Sequence, residues 1–225
     1  MNAPSPAAAL EIVAAFAELG CAQMYDVCGG RAWPIDAGLC SRTPGLRLAG
    51  PVMCVGTNND MLPGLQALDA ADPGSVLYIQ NHGPGNDALA GDIFVTACRQ
   101  QRICGLVIEG AVRDIDQLVD IGVPVYSSSV TFVSAKTAVT PAREVPETLV
   151  VQGRELVPGS WLFGDGDGLL AVPAKDVSVV VKAGLLLHQR EEQLRGEVAD
   201  DDKRLGDLIG LQDFLAGRGD LSFAI

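Results

Sequence analysis

Asn81-His82-Gly83-Pro84-Gly85-Asn86-Asp87-Ala88-Leu89-Ala90-Gly91-Asp92 opens the stretch that decides the fold, and Glu109-Gly110-Ala111-Val112-Arg113-Asp114 closes it. The run before it, Ser75 to Gln80, is short, apolar and β-rich, and a Gly/Pro cluster stops it, as expected of a buried strand. Asn86 or Asp87 is positioned to cap a following helix. That helix would turn Leu89, Ile93 and Ala97 to a core and end near Arg99 to Arg102, where cations suit the C-terminal dipole. Ile103 to Ile108 reads as a second buried strand. A second loop and a short helix around Ile115, Leu118 and Val119 come next, and then a third strand at Pro124 to Ser127. This alternation predicts a parallel sheet with right-handed crossovers. Ligands bind outside the carboxyl ends of the strands in such sheets, so both post-strand loops should face one cleft. The first brings glycines, backbone N–H groups and Asp92; the second brings Arg113 and Asp114. Two carboxylates beside a guanidinium suit a hard divalent cation next to an anionic substrate.

The bulk properties bound this reading. A chain of 225 residues with 48% hydrophobic content can bury one sizeable core, and no Pro/Ser-rich linker divides it, so one domain over residues 1–225 is expected. A formal net charge of -12 argues against nucleic acid as a direct partner, because phosphate backbones need basic patches. No stretch approaches the uninterrupted apolar length of a membrane span, and the N-terminus lacks the pattern of a signal peptide. A cytoplasmic protein with no membrane partner is therefore expected. The six cysteines, Cys21, Cys28, Cys40, Cys54, Cys98 and Cys104, lie in apolar contexts without a Cys-x-x-Cys pair and read as buried free thiols.

Outward from the central stretch, residues 1–8 are Ala/Pro/Ser-rich and read as disordered. Leu10 to Leu19 reads as a helix with Leu10, Val13, Ala14 and Ala17 on one stripe. Gly29 to Gly45 reads as a loop, Arg47 to Val55 as a strand, and Asn58 to Ala71 as a helix with Pro63 in its first turn and Leu65 and Leu68 inward. Asp60 would cap that helix or touch the cleft. Glu147 to Val151 and Leu156 to Phe163 alternate as strands, as does a run at Val139 to Pro141. Gly164-Asp165-Gly166-Asp167-Gly168 lacks the later ligands of a calcium loop and reads as a tight turn. Asp176 to Gln193 is the last long helix, and Asp200 to Asp202 marks a solvated break before a partly amphipathic tail.

The ordered series Gly91-Asp92, Gly105-x-Val107-x-x-Gly110-x-Val112-Arg113-Asp114, Gly122-x-Pro124-Val125, Val130-Thr131, Val157-Pro158-Gly159, Gly164-Asp165-x-Asp167-Gly168 and Val172-Pro173 resembles a known family. It is the family of the regulator of ribonuclease activity A and the 4-hydroxy-4-methyl-2-oxoglutarate aldolases, and the resemblance covers roughly Leu19 to Arg195. It implies an α/β fold, a swivelling β/β/α three-layer domain with a partly parallel central sheet. It also implies a homotrimer or hexamer with sites between subunits. The tail, residues 200–225, resembles an extension that packs on a neighbouring subunit in the aldolase subgroup.

For chemistry, the resemblance implies a class II aldolase or decarboxylase that cleaves a 2-oxo dicarboxylic acid such as 4-hydroxy-4-methyl-2-oxoglutarate or oxaloacetate to pyruvate. Asp114 would hold Mg²⁺ or Mn²⁺, against the plainer reading of a helix N-cap. Asp92 would orient a water on the metal, and Arg113 would stabilise the developing enolate. Gly91, Asp92, Ile93 and Phe94 match the substrate-binding run at a helix start. Glu192, or its neighbour Glu191, matches an acidic residue that reaches a neighbour's site, against a solvated helix end. Two departures stand out: Asn81-His82-Gly83 replaces a usual Asp-Gly-Gly, and Glu109 replaces a usual Asp. Both would face the cleft, and His82 is a candidate substrate partner or an ordinary loop histidine. With two histidines in the chain, His-rich zinc is not expected. The alternatives are a non-catalytic regulator that binds a ribonuclease-type protein, or a same-fold enzyme for another enolisable oxo acid.

Overall fold

The computed structural model describes residues 4–83, 86–137, 144–199 and 203–221. In chain order its elements are α1 (Pro6–Phe16), α2 (Cys21–Asp26), β1 (Trp33–Ile35), β2 (Cys40–Ser41), β3 (Leu48–Thr57), α3 (Leu62–Ala70) and β4 (Val76–Asn81). Then come β5 (Ala88–Ala90), α4 (Asp92–Gln100), β6 (Gly105–Val112), α5 (Ile115–Ile121) and β7 (Val125–Val130). They are followed by β8 (Leu149–Val151), β9 (Arg154–Leu156), β10 (Trp161–Asp165), β11 (Gly168–Val172), α6 (Val177–Val198), α7 (Leu205–Leu208) and α8 (Leu211–Leu215).

Strands β3, β4, β6 and β7 pair in parallel in that order, and β5 adds to β6. The sheet continues antiparallel beyond β3 through β10, β11 and β1, and beyond β7 through β2. Alternation along the strands builds the layers, because successive side chains leave opposite faces. Leu77, Ile79, Leu106 and Ile108 pack under α3 to α5 with Leu68, Phe94, Val95 and Leu118. Val76, Tyr78 and Val107 face the other way, onto Leu149, Val151 and Leu156 of the β8–β9 hairpin. This is the β/β/α layering that the resemblance implied. A further cluster of Phe16, Met24, Trp161, Phe163 and Val177 ties α1, α2 and α6 to β10 and β11.

Several local expectations are corrected. Neither Asn86 nor Asp87 caps α4, because Ala88–Ala90 is a strand. Ala88 N–H donates to Val133 O at 2.7 Å, its carbonyl accepts from Ala135 N–H at 3.0 Å, and Ala90 O accepts from Arg113 N–H at 3.1 Å. Pairing on both sides overrides the helix preference of alanine. The inward residues of α4 are then Phe94, Val95 and Cys98, and Ile93 is 80% exposed. Pro6 to Ala8 are helical, since Ser5 Oγ accepts from Ala8 N–H at 3.3 Å and caps α1; residues 1–3 lie outside the described chain. The stripe of α1 that is buried runs through Ile12 and Phe16, the latter 4.9 Å from the Phe163 ring, so Leu10 and Val13 face solvent. Gly29 to Gly45 holds two short strands rather than a plain loop. Cys40 is exposed, and Leu65 is part exposed while Leu68 is buried.

Other expectations hold. Asp60 Oδ1 accepts from Leu62 N–H at 2.9 Å, the capping role. The Gly164 to Gly168 segment is the turn between β10 and β11, with Asp165 paired to Gly168. Val139 to Pro141 and the acidic run at 200–202 lie outside the described residues. The first tail helix, α7, touches α6 of its own chain. Among the described residues no helix is long and apolar enough to cross a membrane.

Candidate functional site

The site grows from one register. Ala88 pairs with Ala111 and Ala90 with Val112, so Gly91 and Arg113 leave the sheet side by side. Gly91 is extended (φ -143°), so its requirement is space rather than backbone freedom. A Cβ there would lie inside contact distance of Asp114 Oδ2 and 3.0 Å from Arg113 Cγ. Asp114 is left-handed (φ 61°, ψ 39°), a conformation that Asp tolerates better than most residues. Its backbone carbonyl accepts from Gln117 and Leu118 N–H, the position of an N-cap. Its side chain does not cap α5. Instead Oδ2 accepts from Asp92 N–H at 3.3 Å and lies 3.3 Å from Arg113 Nε. Asp92 Oδ1 in turn accepts from Ile93 N–H at 2.7 Å. Two carboxylates thus sit on the N-terminus of α4, where orphan N–H groups and the helix dipole favour anions.

Arg113 divides two recesses. A cavity of about 210 Å³ is walled by Met61, Leu65, Leu68, Phe94 and Ala97, with Gly91, Asp92, Arg113 and Ser134 as its polar part. A wider cleft of about 380 Å³ is lined by Arg113, Asp114, Ile115, Val130, Thr131 and Phe132. Ile93 and Phe94 line the first recess, so the run Gly91 to Phe94 stays together.

The other candidates are not brought to this point within one chain. Glu191 accepts from Gln23 Nε2, and both Glu191 and Glu192 pair with Arg195, at 4.0 and 3.0 Å. Glu191 lines a separate recess with Arg47, Asp165 and His188. His82 is exposed beside Gly56 and Glu147 and lines neither recess around Arg113. Asn81 Oδ1 accepts from Asn59 N–H at 2.7 Å and Gly83 N–H at 3.1 Å, a clip for the turn after β3. Glu109 does not face the cleft: it accepts from Tyr78 Oη–H and, at 3.1 Å, from Gln80 Nε2, on the hairpin side of the sheet. Its longer side chain lets it reach that tyrosine, and burial, followed by the charge and hydrogen bond of Glu109, pushes the Tyr78 hydroxyl pKa upward. Sequence reading did not find the apolar wall of Met61, Leu65 and Leu68, because α3 meets α4 only through tertiary packing. Thr131 carried a signal, the Val130-Thr131 match, but no assigned role.

A divalent cation fits this donor set in one respect. Among the described residues no group of three or more His, Cys, Asp and Glu gathers to cage a metal. Oδ1 of Asp114 has no hydrogen bond among them, and one free carboxylate oxygen beside open space suits a cation that keeps most of its water, as Mg²⁺ does.

The family model described as RraA-like (Aldolase/RraA) matches residues 21–171, which include the Gly91-Asp92 and Arg113-Asp114 pairs. The chain belongs to the RraA-like family. Family relatives carry different names. Protein DlpA of Legionella pneumophila is 27% identical over 77% of this chain, which spans only 29% of that protein's length. The chain likewise spans 65% of a Halalkalibacterium halodurans relative that is 30% identical. A Thermus thermophilus protein named 4-hydroxy-4-methyl-2-oxoglutarate aldolase is 32% identical over 56% of this chain and 76% of its own length. Among solved structures, an uncharacterized Pseudomonas syringae protein superposes with a TM-score of 0.75 at 26% identity, covering 87% of this chain and 91% of that one. The RNA-processing inhibitor RraA from Thermus gives 0.58 at 28% identity, covering 66% and 88%. The RraA-like fold thus stands, and relatives at modest identity are named as aldolases.

Proposed function

We propose that this protein is a divalent-metal-dependent, class II carbon–carbon lyase that releases pyruvate from a 2-oxo acid. The observation that carries the reading is the meeting of Gly91, Asp92, Arg113 and Asp114 at the ends of β5 and β6, beside an open recess. Two carboxylates against one guanidinium repel an anionic substrate at this distance. A divalent cation on Asp114 reverses that balance, and Mg²⁺ or Mn²⁺ bound there would supply Lewis-acid polarisation of the substrate carbonyl.

The chain's own residues do the rest. Arg113, held by its backbone bond to Ala90 O, aims a fixed cation at the oxygen on which negative charge develops as the C–C bond breaks. Gly91 keeps space for that guanidinium and for Asp114. Asp92, at the first turn of α4, holds a proton-exchanging water in reach of the substrate carbon. Glu192 or Glu191 would join only across a subunit contact in a trimer or hexamer, and His82 would at most contact a substrate from outside the two recesses.

The test is pyruvate formation from 4-hydroxy-4-methyl-2-oxoglutarate and from oxaloacetate, with Mg²⁺, with chelator, and in Arg113→Ala. Metal-dependent release that the variant loses supports the reading; no release from these acids or from 4-hydroxy-2-oxo acids with an uncharged arm refutes it. A second reading, a regulator of a ribonuclease-type protein, draws on the likeness to the Thermus RNA-processing inhibitor. Inhibition of a ribonuclease by the Arg113→Ala variant as well as by the parent protein would favour it.

A further inference from the structure

The 210 Å³ recess beside Arg113 does not resemble a site for a second carboxylate. Its wall is Met61, Leu65, Leu68, Ala88, Ala90, Phe94 and Ala97, and Arg113 is the single cation among its described lining residues. Ser134, the remaining polar lining residue besides Asp92, donates its hydroxyl to Ala135 O at 3.2 Å. A carboxylate on the arm would give up its water for one cation, Arg113, which the developing enolate already engages, and would otherwise face the apolar wall, a net penalty. An apolar arm would gain from the same wall. Gly64 lets α3 sit close enough to build it: a Cβ at that position would be 3.1 Å from Ile79 Cδ1, with Phe94 next at 3.9 Å.

We infer that this recess receives the uncharged arm of the substrate, so that the preferred acids are 4-hydroxy-2-oxo acids with an alkyl or aryl group at C4 rather than dicarboxylic acids. The inference rests on the aldolase reading for its chemistry. In the step, the C3–C4 bond breaks and its electron pair stays on the three-carbon fragment as pyruvate enolate. The 4-hydroxyl loses its proton to solvent and becomes the carbonyl of an aldehyde, and a proton added at C3 completes pyruvate. No oxidant or reductant is needed. An apolar cavity of about 150 Å³ admits benzene, so a six-carbon arm fits this one.

The experiment measures kcat/KM for pyruvate release from 4-hydroxy-2-oxo acids bearing methyl, propyl, phenyl or carboxylate at C4, with Mg²⁺ present. In parallel, calorimetry measures binding of 2-oxobutanoate, 2-oxohexanoate and 2-oxooctanoate, which needs no turnover. We expect roughly a fourfold gain per methylene in both series, and the carboxylate substrate at least about tenfold below the propyl one. Ala97→Leu, which fills the recess, and Leu65→Asn, which makes its wall polar, should each cut the propyl-to-methyl ratio several-fold. Equal values along both series, or preference for the carboxylate arm, would overturn the inference. Failure of every acid to yield pyruvate defeats the aldolase reading instead; the binding series then judges the recess by itself, and a flat series rejects it.

Discussion

Replacing Gly91 by alanine separates folding from function at the candidate site. The residue is extended, so alanine adopts its backbone without strain, and loss of unfolded-state freedom favours the variant by about 0.4–1 kcal/mol. Alanine is a poorer N-cap than glycine, at a cost of some tenths of a kcal/mol up to about one, and the two effects nearly cancel. The new Cβ meets atoms of the flexible, part-exposed Asp114 and Arg113 side chains, not backbone. Ordinary contact begins at 3.4 Å, so Asp114 Oδ2 must retreat by about 1 Å, and Arg113 must shift by a few tenths. A displacement of that size at reacting groups costs on the order of 100-fold in rate. We therefore expect Gly91→Ala to melt within about 4 °C of the parent protein, given the usual shift for a chain of this size, while pyruvate release falls about 100-fold. Calorimetry and a coupled pyruvate assay on one preparation decide it. Full activity would refute the claim that Gly91 makes room for the Arg113–Asp114 pair, and so would a loss of more than about 3 kcal/mol of stability.

Further outcomes follow from the same geometry. Arg113→Lys keeps the charge but not the planar fork, and should lower kcat by about 10²–10³ with a smaller change in KM; steady-state kinetics reads the split. Glu109→Gln keeps acceptors for Tyr78 and lies on the hairpin side of the sheet, so pyruvate release should fall less than about threefold; a larger loss would place that face in the chemistry. Burial raises the Cys54 and Cys98 thiols from 9.0 to about 12. Their folded pKa lies above the unfolded one, so the stability they contribute is full below pH 9 and is lost as pH rises from about 9 towards 12. Urea midpoints should hold from pH 7 to 8.5 and fall above it, with a shallower fall in Cys98→Ala. Trp161→Ala, at a side chain 2% exposed and stacked on Phe163 at 5.8 Å, should cost about 3–5 kcal/mol in chemical denaturation.

The sequence by itself determined the parallel core, because uniformly apolar runs such as Val76 to Ile79 and Leu106 to Ile108 bury both faces wherever they are placed. It also determined that Gly91, Asp92, Arg113 and Asp114 belong to loops at one end of that core, since parallel strands send all their post-strand loops to the same edge. Only the tertiary structure decided which way individual side chains turn. Ala88 to Ala90 carry no strand signal, and pairing with β6 made them a strand. The stripe of Leu10, Val13, Ala14 and Ala17 read from α1 is not the buried one, because packing against the Phe163 ring turns Ile12 and Phe16 inward. Asp114 read from its neighbours alone is a helix cap, and only the resemblance made it a metal-binding carboxylate; its left-handed backbone sends Oδ2 to Asp92 instead of to α5. Glu109 looked like a cleft residue until strand alternation and the Tyr78 hydroxyl put it on the opposite face. Local pattern is encoded within a few residues, whereas these choices depend on partners more than 20 positions away, which only packing brings together.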